Sequence, residues 1–203
     1  MRFAVLGPLE ALDTEGRPVA VGGSRLRALL AMLALDAGRT VPAETLVDGL
    51  WGTEPPDGAA NALQSLVSRL RRALGAAVID SAAGGYRLAV ARDAVDAHRF
   101  AAAAGAGRQA LAAGDAERAA ALLGDALALW RGPALADVRP GPLSLPFLIE
   151  LEEARKYVLE QRIEADLRLN RHHQLLDELD TLTKAHPTNE NLHAQFMIAL
   201  YRA

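Results

Sequence analysis

Cysteine is absent from the sequence. That excludes disulfides, thiolate metal centres and cysteine nucleophiles, and it fits a reducing compartment. No apolar run approaches the ~18 residues of a membrane span. The opening residues, "MRFAVLGPLEALD", carry one arginine, then Gly7-Pro8, then acids. They lack the long apolar centre of a secretory signal. A cytoplasmic protein with no membrane partner is therefore expected. Excess positive charge is also missing, since the formal net charge is −3. Overall charge gives nucleic-acid binding no support, so any such case rests on local clustering. Lysine is scarce, with only Lys156 and Lys184, whereas alanine and arginine are abundant. This is a habit of high-GC bacterial genomes.

What is present is a chain of 203 residues, 51% of them hydrophobic, which is enough for one or two cored domains. Residues 2–6 and 8–13 read as short strands around Gly7-Pro8. "DTEG" (13–16) supplies a turn, and 18–21 read as the returning strand. Ser24 is placed as the N-cap of a helix over 25–36, in which Leu26, Leu29, Leu30 and Leu33 recur at helical spacing. Gly38 closes it. Residues 41–51 read as a second helix, with Pro42 and Glu44 in its first turn. Pro55-Pro56 forces a loop over 52–58. A third helix follows at 59–74, closed by Gly75. Residues 77–81 and 86–90 then read as a hairpin turning at "AAGG" (82–85). From about 94 no strand pattern remains. Helices are expected at 96–113, 116–131, 144–169, 172–186 and 189–202, with breaks at 114–116, 131–142, 170–171 and 186–189. Short-turn helix pairs of this kind are similar to a tetratricopeptide array.

The third helix, "NALQSLVSRLRRAL" over 61–74, carries the chemistry. At 100° per residue, Leu63, Leu66, Val67, Leu70 and Leu74 share one side. Asn61, Ser65, Ser68 and Arg72 lie opposite, flanked by Gln64, Arg71 and Arg69. No carboxylate occurs anywhere in 59–74. A solvated helix usually mixes Glu with Arg. DNA takes this other mixture: Arg for guanine or phosphate, Asn and Gln for adenine, and small serines that let the helix axis approach the major groove. The plainer reading is a surface helix whose basic last turn is favoured by its dipole. Three helices followed by a hairpin wing, with Gly84 and Gly85 at the tip and Arg87 beside them, favour DNA.

Residues 1–92 resemble the winged helix-turn-helix of the OmpR/PhoB type. The likeness is carried by "LRALLAMLAL" (26–35), "TVPAETLVDGLWG" (40–52), "NALQSLVSRLRRAL" (61–74) and "GGYRL" (84–88). Residues 94–203 resemble the bacterial transcriptional activation domain, through "VDAHRF" (95–100), "ALALWRGPALADV" (126–138), "LIELEEAR" (148–155) and "FMIALYRA" (196–203). In this order the two resemble the SARP family, the Streptomyces antibiotic regulatory proteins. The fold class implied is mostly α with small β-sheets, a winged helix-turn-helix followed by an all-α, TPR-like helical domain. The resemblance implies a transcription activator, often of antibiotic gene clusters, binding direct repeats in promoter DNA as a side-by-side homodimer. It also implies recruitment of RNA polymerase through its sigma factor and alpha subunit. On this reading 59–74 is the recognition helix and 82–88 the wing. Asn61, Gln64, Ser65, Ser68, Arg69, Arg71, Arg72 and Arg87 then face DNA. In winged helices of this type the loop before the recognition helix often meets polymerase, which makes Glu54 and Asp57 candidates for that contact; a solvated acidic loop is the alternative. Many relatives carry an aromatic residue within the recognition helix where this chain has Leu66, so a different base preference is expected. Phosphorelay control through a preceding receiver domain is not expected.

Other signals are plain. "GGSR" (22–25) lacks the Lys-Ser/Thr of a phosphate-binding loop. His172 and His173 project about 100° apart, unlike an i, i+4 zinc pair, and are expected at the surface. No nucleophile turn accompanies a Ser-His-Asp set. No cofactor, metal or enzymatic activity is expected. Trp51 and Trp130 read as packing anchors, Trp51 beneath the wing or the domain junction. Glu150, Glu152 and Glu153 read as a wet helix face. The last helix has apolar residues on several sides (Leu192, Phe196, Ile198, Leu200, Tyr201). It is expected either to pack back on an earlier helix or to await a further segment of a longer protein. A rival reading is a helical-repeat scaffold whose winged helix serves as a docking module. Net acidity and the repeat-like half favour it.

Overall fold

A computed structural model describes residues 1–82, 84–139 and 144–203, with nothing stated of the Ser144 side chain. Ala83 in the wing turn and 140–142 in the expected break lie outside the described residues. The order is β1 (Arg2–Ala4), β2 (Glu10–Leu12), α1 (Ser24–Leu35), β3 (Val41–Pro42), α2 (Ala43–Trp51), α3 (Ala59–Leu74), β4 (Ile79–Ala82), β5 (Gly85–Leu88), α4 (Asp96–Ala112), α5 (Ala116–Leu127), α6 (Ser144–Arg168), α7 (His172–Ala185) and α8 (Glu190–Arg202). The helices match their sequence-based expectations to within a few residues. The strands do not match as well, because the length of a strand is set by its pairing with another strand and not by its own residues alone.

Two compact units form. The first is 1–99 with 129–152, and the second is 100–128 with 153–203. The sequence division at 92–94 follows the chain, whereas packing brings a later segment back to the first unit. Within that unit β1 and β2 pair antiparallel, Phe3 opposite Ala11. The returning strand expected at 18–21 shrinks to one bridge, Pro18 opposite Leu12, with Val19 N–H donating to Ala11 O at 2.8 Å. Proline has no N–H with which to extend a ladder. Beyond β1, the N–H groups of Val5 and Leu6 donate to the Asp96 carboxylate at 2.8 and 3.1 Å. Burial raises the Asp96 carboxyl above its ordinary value, against the pull of those two donors and of Arg131. The returning segment docks on the same backbone: Arg131 N–H donates to Leu6 O at 2.8 Å and Leu135 N–H to Val5 O at 2.9 Å. Asp137 accepts from Leu9 N–H at 2.8 Å and pairs with Arg27 of α1. Burial opposes ionisation of Asp137, but the Leu9 N–H and the Arg27 guanidinium together hold its carboxyl below the ordinary value. Trp130 is buried as expected.

Helices α1, α2 and α3 pack around Leu29, Leu30, Leu33, Leu46, Leu63 and Leu70, all removed from solvent. β3, β5 and β4 form the wing sheet in that order, with Val41 opposite Tyr86 and Ile79 opposite Leu88. This is the winged helix-turn-helix that the sequence indicates. Several local expectations are corrected. Ser24 is the first helical residue and forms no cap; the cap is Gly23, at φ 94°, a left-handed value open to glycine. Val41–Pro42 is a strand rather than the start of α2, because Tyr86 and Gly85 pair with it. Trp51 is not the buried anchor that the sequence suggests. It is half-exposed at the end of α2, with the Arg25 guanidinium 5.9 Å from its ring centre.

In the second unit Leu123 is fully buried, and the approach of α4 to α5 is close. A Cβ at Gly107 would lie 2.6 Å from Leu123 Cγ, so any side chain there would have to displace Leu123. Helices α6, α7 and α8 share a core of Ile163, Leu167, Leu175, Leu179, Leu192 and Ala199. Leu192 and Phe196 thus pack back on earlier helices, while Met197, Ile198, Leu200 and Tyr201 stay exposed. His172 corrects an expectation: it is buried at the start of α7, and only His173 is exposed. The helix faces His172 inward beside Leu175 and Leu179, which the adjacent pair in the sequence does not reveal. Glu152, in the first unit, is half-buried and accepts from Ala134 N–H at 3.0 Å, so one member of the acidic run is structural.

Candidate nucleic-acid interface

α3 spans the residues expected of it and separates its two faces cleanly. Leu63, Leu66, Val67, Leu70 and Leu74 are buried. Asn61, Gln64, Ser65, Ser68, Arg69 and Arg72 are exposed and together line one shallow depression. The helix starts after Gly58, in left-handed conformation, and ends at Gly75, whose N–H donates to Arg71 O at 2.9 Å. Ser65 Oγ donates to Asn61 O at 2.9 Å, which keeps that hydroxyl close to the helix and the surface low. Among the described residues no hydrogen bond or ion pair holds the guanidinium of Arg69 or Arg72. Their charges face outward, in the last two turns, where the helix dipole favours cations.

The other two expected arginines are placed differently. Arg71 is half-buried; its Nε donates to Ile79 O and its Nη2 to Ser81 Oγ, both at 2.9 Å. Arg87 pairs with Asp80 across the wing at 2.6 Å. The two wing glycines also differ. Gly84 has φ +78° and, among the described residues beyond its chain neighbours, nothing within 4 Å of an added Cβ, while a Cβ at Gly85 would lie 2.1 Å from Val41 O. Gly84 permits the turn and Gly85 permits β5 to approach β3.

Glu54 and Asp57 are both exposed in the 52–58 loop. Only Glu54 borders the neighbouring groove, which Arg25, Trp51, Pro56, Leu66 and Arg69 also line. Ser65 and Arg69 border both depressions, so the groove continues the α3 face. Arg25 is the residue that sequence reasoning missed. Its signal was weak, the first of two arginines after Gly-Gly-Ser, and the ring it lies over, Trp51, is far along the chain. No group of three His, Asp or Glu able to hold a metal ion occurs among the described residues. No helix among them is long and apolar enough to cross a membrane.

A helix-turn-helix with a hairpin wing, followed by a helical domain, defines a two-part transcriptional regulator. Residues 17–88 match the C-terminal domain of transcriptional regulatory proteins, and 95–203 match the bacterial transcriptional activator domain. The chain belongs to the SARP family of regulators. It is 43% identical over 214 residues to Regulatory protein DnrI of Streptomyces peucetius, covering all of this chain and 78% of DnrI. It is likewise 43% identical over 204 residues to Regulatory protein AfsR of Streptomyces coelicolor, but spans only 20% of that protein. Among solved structures, Mycobacterium tuberculosis EmbR in complex with a low affinity phosphopeptide superposes with a TM-score of 0.93 at 38% identity, over 99% of this chain and 54% of that one.

Proposed function

We propose that this chain is a sequence-specific DNA-binding transcriptional activator. It binds direct repeats in promoters as a homodimer and recruits RNA polymerase through its sigma factor and alpha subunit. Its targets are genes of secondary metabolite biosynthesis, antibiotics among them, and it works in the cytoplasm at the nucleoid, without enzymatic activity or a cofactor. The observation that carries the reading is the outward face of α3. It offers two amides, two hydroxyls and two outward guanidiniums with no carboxylate on the helix. Asn61, Gln64, Ser65, Ser68, Arg69 and Arg72 read base edges and phosphates in the major groove, with the wing beside them. Glu54 and Asp57, exposed on the loop before α3, contact polymerase. DNA-binding charge is local here: residues 1–93 carry ten arginines and ten acids.

The test is a mobility shift of the purified chain against promoter DNA from its own gene neighbourhood, at two salt concentrations, with unrelated DNA as competitor. Discrete shifts that resist competition and weaken with salt are expected, because each neutralised phosphate releases counterions. A folded chain that gives no shift sinks the reading. One observation favours a second reading, a protein-docking scaffold: Met197, Ile198, Leu200 and Tyr201 of α8 present apolar surface to solvent. Docking on such a surface would change little with salt.

A further inference from the structure

Arg71 sits on the last turn of α3, at the edge of the face assigned to DNA, yet both of its bonded donors point into the wing. Its targets, Ile79 O and Ser81 Oγ, are alternate residues of β4. β4 is one of the two edge strands of the sheet, with β5 between it and β3. Val78 O accepts from Ala89 N–H, and the register places Ile79 opposite Leu88 and Ser81 opposite Tyr86. In an antiparallel ladder, alternate residues turn their carbonyls away from the partner strand. Ile79 is one of these, so its carbonyl faces the open edge, where Arg71 satisfies it. A planar guanidinium holds two donors in a fixed fork, a geometry a lysine ammonium does not reproduce. Across the same hairpin Asp80 and Arg87 are directly opposed and ion-paired.

We infer that Arg71 is a positioning residue, a strut from the recognition helix to the free edge of the wing. With the Asp80–Arg87 pair it makes helix and wing one rigid surface. Its consequence for binding rests on the DNA reading above; the strut itself is a property of the free chain. Arg69 and Arg72 then supply the phosphate charge of α3, and Arg71 supplies shape.

The test uses the whole chain and the variants Arg71→Lys, Arg71→Gln, Ser81→Ala and Arg72→Gln. Two quantities are read: amide hydrogen exchange over 79–88 without DNA, and affinity for the promoter fragment as a function of salt. Both Arg71 variants are expected to speed wing exchange about tenfold or more, since a charged two-pronged contact is lost. Both weaken binding while leaving the slope of log K against log salt unchanged. Ser81→Ala produces a smaller effect, and adds little to Arg71→Gln. Arg72→Gln leaves wing exchange alone and reduces the salt slope by about 0.9. The inference is overturned if Arg71→Lys keeps normal exchange and affinity, or if Arg71→Gln lowers the salt slope without loosening the wing. Faster wing exchange in a chain that never binds DNA leaves the strut standing and removes the DNA reading.

Discussion

Replacing each wing glycine with alanine separates two reasons for glycine that the sequence writes identically. At Gly84 the φ of +78° is unfavourable for alanine, but among the described residues beyond its chain neighbours nothing lies within 4 Å of the new methyl. The left-handed conformation costs about 1–2 kcal/mol. Reduced entropy of the unfolded chain returns about 0.4–1 kcal/mol, so the net loss is about 1 kcal/mol. At Gly85 the new Cβ meets Val41 O at 2.1 Å, Val41 C at 2.8 Å and Pro42 Cα at 3.0 Å. All three are backbone atoms, so no rotamer change relieves the clash. The strands must part, which endangers the bond from Ala43 N–H to Gly84 O at 2.8 Å. Overpacking of about 1–3 kcal/mol plus roughly 1 kcal/mol for a lost ladder bond gives a loss of about 3 kcal/mol. Both tryptophans, Trp51 and Trp130, belong to the first unit. Urea unfolding followed by tryptophan fluorescence therefore reports that unit by itself. Gly85→Ala is expected to shift the midpoint far more than Gly84→Ala, and to weaken DNA binding with it. Equal shifts, or a larger one for Gly84→Ala, would refute the argument that close approach rather than backbone sign sets the requirement at Gly85.

Arg72→Ala is expected to weaken promoter binding while leaving the unfolding midpoint within about 0.5 kcal/mol of the parent, as the side chain is exposed opposite the core stripe; full-strength binding in a shift assay would exclude the residue from the interface. Gly107→Ala should gain about 1 kcal/mol of helix propensity and lose about 1–3 kcal/mol to overpacking against the buried Leu123. A net loss is expected in thermal unfolding followed by far-UV circular dichroism, and a net gain would show that α4 and α5 have room to part. The carboxyl of Asp137 is held below its ordinary value of 3.8, so the unfolded chain takes up its proton first. Its contribution is present above that value and is lost as pH falls below it, through the lowered folded value. Asp137→Asn should flatten the acid limb of first-unit stability in urea titrations at stepped pH, and an unchanged limb would show the Arg27 pair to be without weight.

Periodicity alone determined most of this protein. The stripe of Leu63, Leu66, Val67, Leu70 and Leu74 marked out the outward face of α3, while the prolines at 55 and 56 and Gly75 marked its limits. Such a pattern is local, because 3.6 residues per turn decide which side chains share a side. The helices from 96 onward were legible for the same reason, and so was the family, through motifs that run continuously along the chain. The tertiary structure decided whatever depends on a partner far away in sequence. It made Val41–Pro42 a strand through Tyr86 and Gly85, turned His172 inward, and set Arg25 over Trp51. It also returned 129–138 to the backbone beyond β1. Above all it sorted four arginines that look equivalent in the sequence. Arg69 and Arg72 face outward, Arg71 reaches β4 and Arg87 pairs with Asp80. A helical projection gives the direction in which a side chain leaves its helix. It does not give what waits at the end of a guanidinium long enough to reach another element, and that is a matter of three-dimensional packing.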